Sequence, residues 1–257
     1  MKVLWIFAHP EQRSLSGALR DEGLRTLREH GHEHRLSDLY AMGWNPLVDA
    51  GDFAHDPADR LVVGSRSRQA FDRGELSDDI LAEQEKLDWA DAVILQFPLW
   101  WAGMPAILKG WFDRVFVKGL AYGVQDRATG NTLRYGEGKL TGKRAMIIVT
   151  LGASASGVGP RGVNGELDGL LFPIQHGTLW YTGMSVLPPL AVVGADRFSD
   201  ERYQEAVETL QKRLVALLWE EPIPFRYQNG GDYDEHLVLR PEIEPGRSGL
   251  DIHRLAG

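Results

Sequence analysis

The run AVILQFPLWWAGMPAILKGWFDRVF, from Ala92 to Phe116, decides the fold. Ala92–Phe97 is short and apolar except for Gln96, as a strand covered on both faces requires. Pro105 then pre-sets the backbone for the first turn of a helix, and the apolar residues of Pro105–Val117 recur at helical spacing. Strand, short turn and helix in that order make one unit of a parallel sheet wrapped by helices.

The same alternation runs outward in both directions. Lys2–His9 reads as a first strand buried on both faces. Ser14 or Ser16 then caps a helix that continues through Leu19, Leu24 and Leu27 and ends near Gly31. His32–Leu39 is a second strand, patterned weakly enough to lie nearer an edge. A helix over Asp79–Asp88 precedes the third strand. Arg144–Leu151 is a fourth strand, followed by a helix around Gly165–Tyr181, a fifth strand at Val186–Val193 and a closing helix over Asp200–Glu220. Residues 40–79 and Lys118–Gly142 show little periodicity, and long excursions of that kind in a compact domain are usually functional. After Glu221 the chain turns rich in proline and glycine (EPIPF, NGGDY, PEIEPG). The expected organisation is therefore a doubly wound α/β domain over residues 1–220. A C-terminal extension, 221–257, is expected to wrap the surface or a partner subunit. There are no internal repeats.

Composition narrows the chemistry. The 257 residues include no cysteine, which excludes disulfides, thiolate nucleophiles, Cys-ligated zinc and iron–sulfur clusters. Any redox chemistry must come from a bound organic cofactor. The eight histidines do not group as metal ligands, and no metal is expected. A net charge of −8 argues against nucleic acid, which demands a basic face. No apolar stretch is long enough for a membrane span, and MKVLWIFAHPE lacks the longer apolar region and cleavage site of a signal peptide, so a cytoplasmic protein is expected.

In such sheets ligands bind beyond the C-terminal strand ends, where strand order reverses. Three loops meet there. The first, AHPEQRSLSGAL, offers His9, Ser14 and Ser16 beside a helix N-terminus, a setting that favours anions. They serve equally well as helix caps and strand-end packing alone. The second carries Trp100 and Trp101 at an exposed mouth, where indoles suit a flat ligand, although Trp100, Trp101 and Trp111 also suit core or interface packing. The third contains Gly157-Val-Gly-Pro-Arg-Gly162, a formal G-x-G-x-x-G. It follows the fourth strand rather than opening a βαβ unit, so it reads as a flexible loop over a ligand and not as a dinucleotide fingerprint. Ser154 and Ser156 lie outside any G-x-S-x-G elbow, so a hydrolase is not expected.

Taken together, AHPEQRSLSGAL, SDLYAMGWNPL, LSDDILAEQEKLDWADAVILQFPLWWAGMPAILKGWFDRVF, GASASG and FPIQHGTLWYTGM resemble the NAD(P)H:quinone oxidoreductase (DT-diaphorase) family. The similarity runs in order over about residues 1–225, with a looser echo, GLDIH, near the C-terminus. It implies a flavodoxin-like sheet of five parallel strands in the order 2-1-3-4-5, bound FAD in preference to FMN, NAD(P)H as hydride donor, and a homodimer with its active sites at the interface. By position, His9, Ser14, Leu15 and Ser16 would hold the FAD phosphates and adenosine. Pro98, Leu99, Trp100 and Trp101 would hold the ring on one side and Thr150, Leu151, Gly152 and Ala153 on the other, with Arg202 near the adenine end. Trp101, Ala102, Tyr122, Val124, Gly157 and Tyr181 fall where the family builds its nicotinamide and quinone site.

The resemblance has departures. The family's catalytic tyrosine and histidine fall at Val158 and Asn164, which join Gly152 as the candidate catalytic positions. Valine donates no hydrogen bond and asparagine cannot become cationic. Losing such a preorganised donor costs on the order of a hundredfold in rate. Ala102 and Val124 replace an aromatic and a tyrosine, which should widen the pocket. The reading is a flavin-dependent enzyme performing two-electron reduction of quinones or similar flat acceptors. The alternatives are a flavin-binding regulatory partner of an ion-efflux system with weak or no turnover, and a flavin-free structural dimer.

Overall fold

The computed structural model describes residues 1–255. Its sheet is a stack of parallel strands: β1 (Lys2–Phe7), β2 (Glu33–Asp38), β3 (Ala92–Pro98), β4 (Arg144–Leu151), β5 (Ser185–Val186) and β6 (Leu190–Val193), in the order β2-β1-β3-β4-β5, with β6 also on β4. The order is the expected one. Two cores follow from the period of two along each strand. Val3, Trp5 and Phe7 face α1 (Leu15–Glu29) and α6 (Asp200–Val215), meeting Leu19, Leu27, Leu210 and Leu214. Leu4 and Ile6 face the other way, joining Val93, Leu95 and Phe97 under α3 (Asp78–Trp89) and α4 (Ala106–Val115).

Four expectations are corrected. The fifth strand is not continuous over Val186–Val193: Pro188 and Pro189 lack the N–H that a ladder needs, and they split it into β5 and β6. Residues 40–79 are not featureless, because α2 (Val63–Arg73) lies within them. Its core face is Ser67, Ala70 and the half-buried Phe71, a short stripe set among serines and arginines. The helix expected around Gly165–Tyr181 is α5 (Leu167–Ile174), which contains Pro173 and runs into a π-helical turn, Gln175–Trp180. The closing helix ends at Val215 and continues as a 3-10 turn, Ala216–Leu218.

Two buried polar devices hold the sheet's C-terminal edge in place. Trp5 Nε1 donates to Gln96 Oε1 (2.9 Å), Gln96 Nε2 donates to the Ser16 carbonyl (2.7 Å), and Ser16 Oγ lies 2.9 Å from Thr150 Oγ1. This chain ties the start of α1 to three strands. The second device is Arg114 on α4, which reaches Asp52 (2.7 Å), Asp79 (2.6 Å) and the Asn45 carbonyl (3.1 Å) and pins the 40–79 excursion to the body. The extension packs on its own chain: Phe225 is buried in the core, and the Leu255 N–H donates to the Pro224 carbonyl at 2.7 Å.

Candidate active site

The loops following β1, β3 and β4 converge on one cleft of about 380 Å³. His9, Ser14, Leu15 and Ser16 line it from the first loop, Pro98, Leu99 and Trp100 from the second, and Thr150, Leu151 and Gly152 from the third. Trp101, Ala153 and Arg202 do not line it. Arg202 turns to the end of β6, donating to the Val193 carbonyl at 2.6 Å and lying over Phe198. Sequence reasoning missed Ala195 and Asp196, which complete the wall. They follow β6, so the rule that selected the other loops would have selected them as well.

The first loop is shaped for an anion. Ser14 is the helix cap: its Oγ accepts from the Gly17 N–H (3.1 Å) and donates to the Glu11 carbonyl (2.7 Å). The N–H groups of Leu15 and Ser16 therefore head α1 with no acceptor inside the helix, at its positive end and on the cleft wall. His9 Nδ1 accepts from the Glu11 N–H at 3.1 Å. No side chain fits at Gly17, where a Cβ would lie 2.0 Å from the Gln12 carbonyl oxygen.

The second loop is a strained turn. Trp100 and Gly103 exchange both backbone hydrogen bonds at 3.0 Å, leaving Trp101 (φ 51°) and Ala102 (φ 58°) as the two central residues. Both are left-handed, a type I′ turn normally built from Asn and Gly, and each non-glycine residue costs roughly 1–2 kcal/mol there. The turn swings the Trp101 indole wholly into solvent (102% exposed), while Trp100 stays on the cleft beside His9 (ring centroids 6.4 Å apart). Strain of this kind persists where function over-determines the backbone.

The third loop begins at Gly152, where a Cβ would stand 2.3 Å from Asp196 Oδ2. A bare backbone face therefore meets the cleft. Ser154 caps a 3-10 turn, Ala155–Val158, by accepting from the Gly157 N–H at 3.2 Å. Of the candidate catalytic positions, Gly152 is on the cleft and the other two are not. Val158 is 8% exposed and belongs to the hydrophobic core, where an apolar side chain gains most. Asn164 is exposed over Gly157, its backbone N–H donating to the Gly157 carbonyl at 3.1 Å.

The predicted substrate residues are dispersed within one chain. Tyr122 lines a different cavity, with Phe53, Met104 and Phe116. Val124 lies in the loop beside Gly123 and Gln125, and the Tyr181 ring packs edge-on to Tyr135 with centroids 5.0 Å apart. Among the described residues no group of three or more His, Asp or Glu is arranged to hold a metal, and no helix is long and apolar enough to cross a membrane.

A family model of the flavodoxin-like fold matches residues 1–214. The ribosyldihydronicotinamide dehydrogenase-like protein of Penicillium crustosum is 46% identical across 98% of this chain and 95% of its own length. NAD(P)H dehydrogenase [quinone] 1 of Rattus norvegicus is 38% identical across 95% and 88%. The solved structure of a candidate quinone reductase from Klebsiella pneumoniae superposes with a TM-score of 0.96 at 52% identity, covering 99% of this chain and all of that one. These relatives carry names of dehydrogenases and reductases, and the regulatory-partner alternative finds no support among them.

Proposed function

The chain belongs to the flavodoxin-like NAD(P)H:quinone oxidoreductases, and from that premise we propose that it is a cytoplasmic, FAD-binding homodimer that transfers hydride from NAD(P)H to quinones or similar flat acceptors. The observation that carries this reading is the cleft itself. Trp100 and the bare Gly152 backbone line it together with Leu15 and Ser16, whose N–H groups head α1 with no acceptor inside the helix. A planar ring joined to phosphates matches that lining.

When bound, the flavin supplies a ring that takes a hydride from NAD(P)H and passes it to the acceptor. The chain does the rest. Leu15 and Ser16 N–H groups hold phosphate oxygens. Pro98, Leu99 and Trp100 shield one side of the ring from water. Gly152 offers backbone where any side chain would intrude. His9 and Asp196 are the cleft's ionisable side chains. Tyr122, Val124 and Tyr181, dispersed in their own chain, are assigned to the cleft of a second copy. The fully exposed Trp101 supports that assignment, because an indole that size is rarely left to water.

The decisive measurement is the visible spectrum of the purified protein before and after NAD(P)H without oxygen. A yellow protein that bleaches supports the reading, and a colourless one that rejects FAD overturns it. Stopped-flow reduction of Asn164→His tests the loop residue separately. The variant is expected to gain up to about a hundredfold in rate. An unchanged rate removes Asn164 from the chemistry.

A further inference from the structure

A second cavity of about 370 Å³ lies away from the sheet edge, where the extension folds over α5 and the π-helical turn. It shares no lining residue with the cleft. Its volume is within the ~300–1,000 Å³ usual for small-molecule sites. The walls are flat rings. His176 stacks on Tyr135 (centroids 4.8 Å, 28° between planes) and on Phe172 (4.6 Å, 19°). Tyr233 Oη lies 2.9 Å from His253 Nδ1, with the two rings 14° from parallel.

The charges at this cavity are sorted. Arg226 is nearly buried and already neutralised, by Asp232 at 2.6 Å and Glu244 at 3.3 Å. Arg134 is not: its Nε donates to the neutral Gln228 Oε1 at 2.5 Å, and no carboxylate pairs with it among the described residues. Burial pushes His176 down to about 4, with help from nearby His253 and Arg254, and burial lowers His253 as well. Both imidazoles are therefore neutral at physiological pH. The segment closing the cavity holds Leu237 at φ 63° and Glu244 at φ 51°, conformations that non-glycine residues adopt only when their surroundings impose them.

We propose that this cavity is a second binding site, for a planar aromatic acid, with its ring against Tyr135, His176 and Tyr233 and its anionic group on Arg134. One uncompensated cation beside a neutral aromatic slot selects an anion attached to a flat ring over either a free anion or a neutral arene. Within one chain the two cavities share no lining residue; Tyr135 backs onto Tyr181, which is assigned to the second copy's cleft, so Trp100→Ala is the control that separates the two sites.

Titration calorimetry of the purified full-length protein with 2-naphthoate, beside the neutral 2-naphthamide, tests it. One saturable naphthoate site per chain is expected, weakened about tenfold or more in Arg134→Gln and largely kept in Arg134→Lys. The amide should bind weakly to the wild type and be indifferent to Arg134→Gln. Trp100→Ala, which alters only the cleft, should leave naphthoate binding unchanged. Absence of saturable binding, equal affinity in Arg134→Gln, or loss in Trp100→Ala overturns the proposal. A colourless preparation that rejects FAD and still binds naphthoate would sink the flavin reading and keep this one.

Discussion

The two cavities differ by little in volume, about 380 against 370 Å³, and are built from opposite materials. The cleft is backbone: strand ends, a helix head, a strained two-residue turn and a bare glycine, tied to the sheet by the Trp5–Gln96–Ser16–Thr150 chain. The extension's cavity is side chain: stacked rings on irregular backbone, held by the ion pairs of Arg226. Walls of the first kind cannot move without breaking the sheet ladder, whereas walls of the second kind can open by local unfolding. A rigid slot suits a cofactor that stays, and a hinged pocket suits a ligand that comes and goes.

The largest effect that separates them is expected at Gly152. Asp196 is exposed and can swing away from a new side chain, so Gly152→Val should fold normally while the valine fills the slot. Flavin affinity should fall about a hundredfold, with the melting temperature nearly unchanged, because about twenty lost ring contacts at about 0.15 kcal/mol each amount to about 3 kcal/mol. A variant that keeps its flavin through gel filtration would remove the cleft from cofactor binding.

Next in size is the tie beneath the cleft. Gln96→Leu leaves the buried Trp5 N–H without a partner and takes from the Ser16 carbonyl its bond from outside the helix. At about 1–3 kcal/mol for one unsatisfied buried donor, a loss near 2 kcal/mol in denaturant unfolding is expected. A loss under about 1 kcal/mol would mean that the chain of hydrogen bonds does not hold the cleft to the sheet.

How far each region was legible in the sequence follows from the same difference. The cleft is dictated by topology: once Ala92–Phe116 reads as strand, turn and helix, the C-terminal strand ends must face one edge, and His9, Ser16, Trp100 and Thr150 meet there. Asp196 obeys the same rule, since it follows β6 at the same edge of the sheet. Val158 was placed by alignment alone, and the core claimed it instead. The cavity of the extension had no such rule. Tyr135, His176 and His253 are far apart in sequence, and no periodicity links them. Only the fold of an irregular, proline-rich segment brings the rings together. The α2 helix was hard to read for a different reason: its core face, Ser67, Ala70 and the half-buried Phe71, is a short stripe among arginines and serines.

The extension should fail separately from the sheet. Arg226→Met leaves Asp232 without its cation and Glu244 with Arg247 alone, at a cost of about 2 kcal/mol for carboxylates that are only partly buried. Hydrogen exchange should accelerate at the amides of Arg226 and Leu255, while those of β1 and β3 keep wild-type protection and flavin content is unchanged. Parallel acceleration in β1 would show that the extension and the sheet unfold as one unit.

The smallest effect is on pH, and its sign is fixed by His176. The folded protein holds this imidazole neutral, with its titration near 4 rather than at the ordinary 6.5, because burial and the neighbouring His253 and Arg254 disfavour a further charge. Above pH ~6.5 neither the folded nor the unfolded chain is protonated there, and the residue exerts no pull. Between ~6.5 and 4 the unfolded chain takes a proton that the folded one refuses, so stability falls as pH falls and levels off below that window. The full shift would amount to about 3 kcal/mol, and because the ring is partly open to solvent about 1–2 kcal/mol is the expected loss. His176→Phe keeps the stack between Tyr135 and Phe172 and removes the titration. The difference in unfolding free energy between wild type and variant should therefore shrink by that amount from pH 7 to pH 4.5, since His253, Arg226 and Arg254 are common to both. A difference that stays constant across the window would mean that the cavity admits water freely to His176, and the ring-walled pocket would then be as open as the cleft.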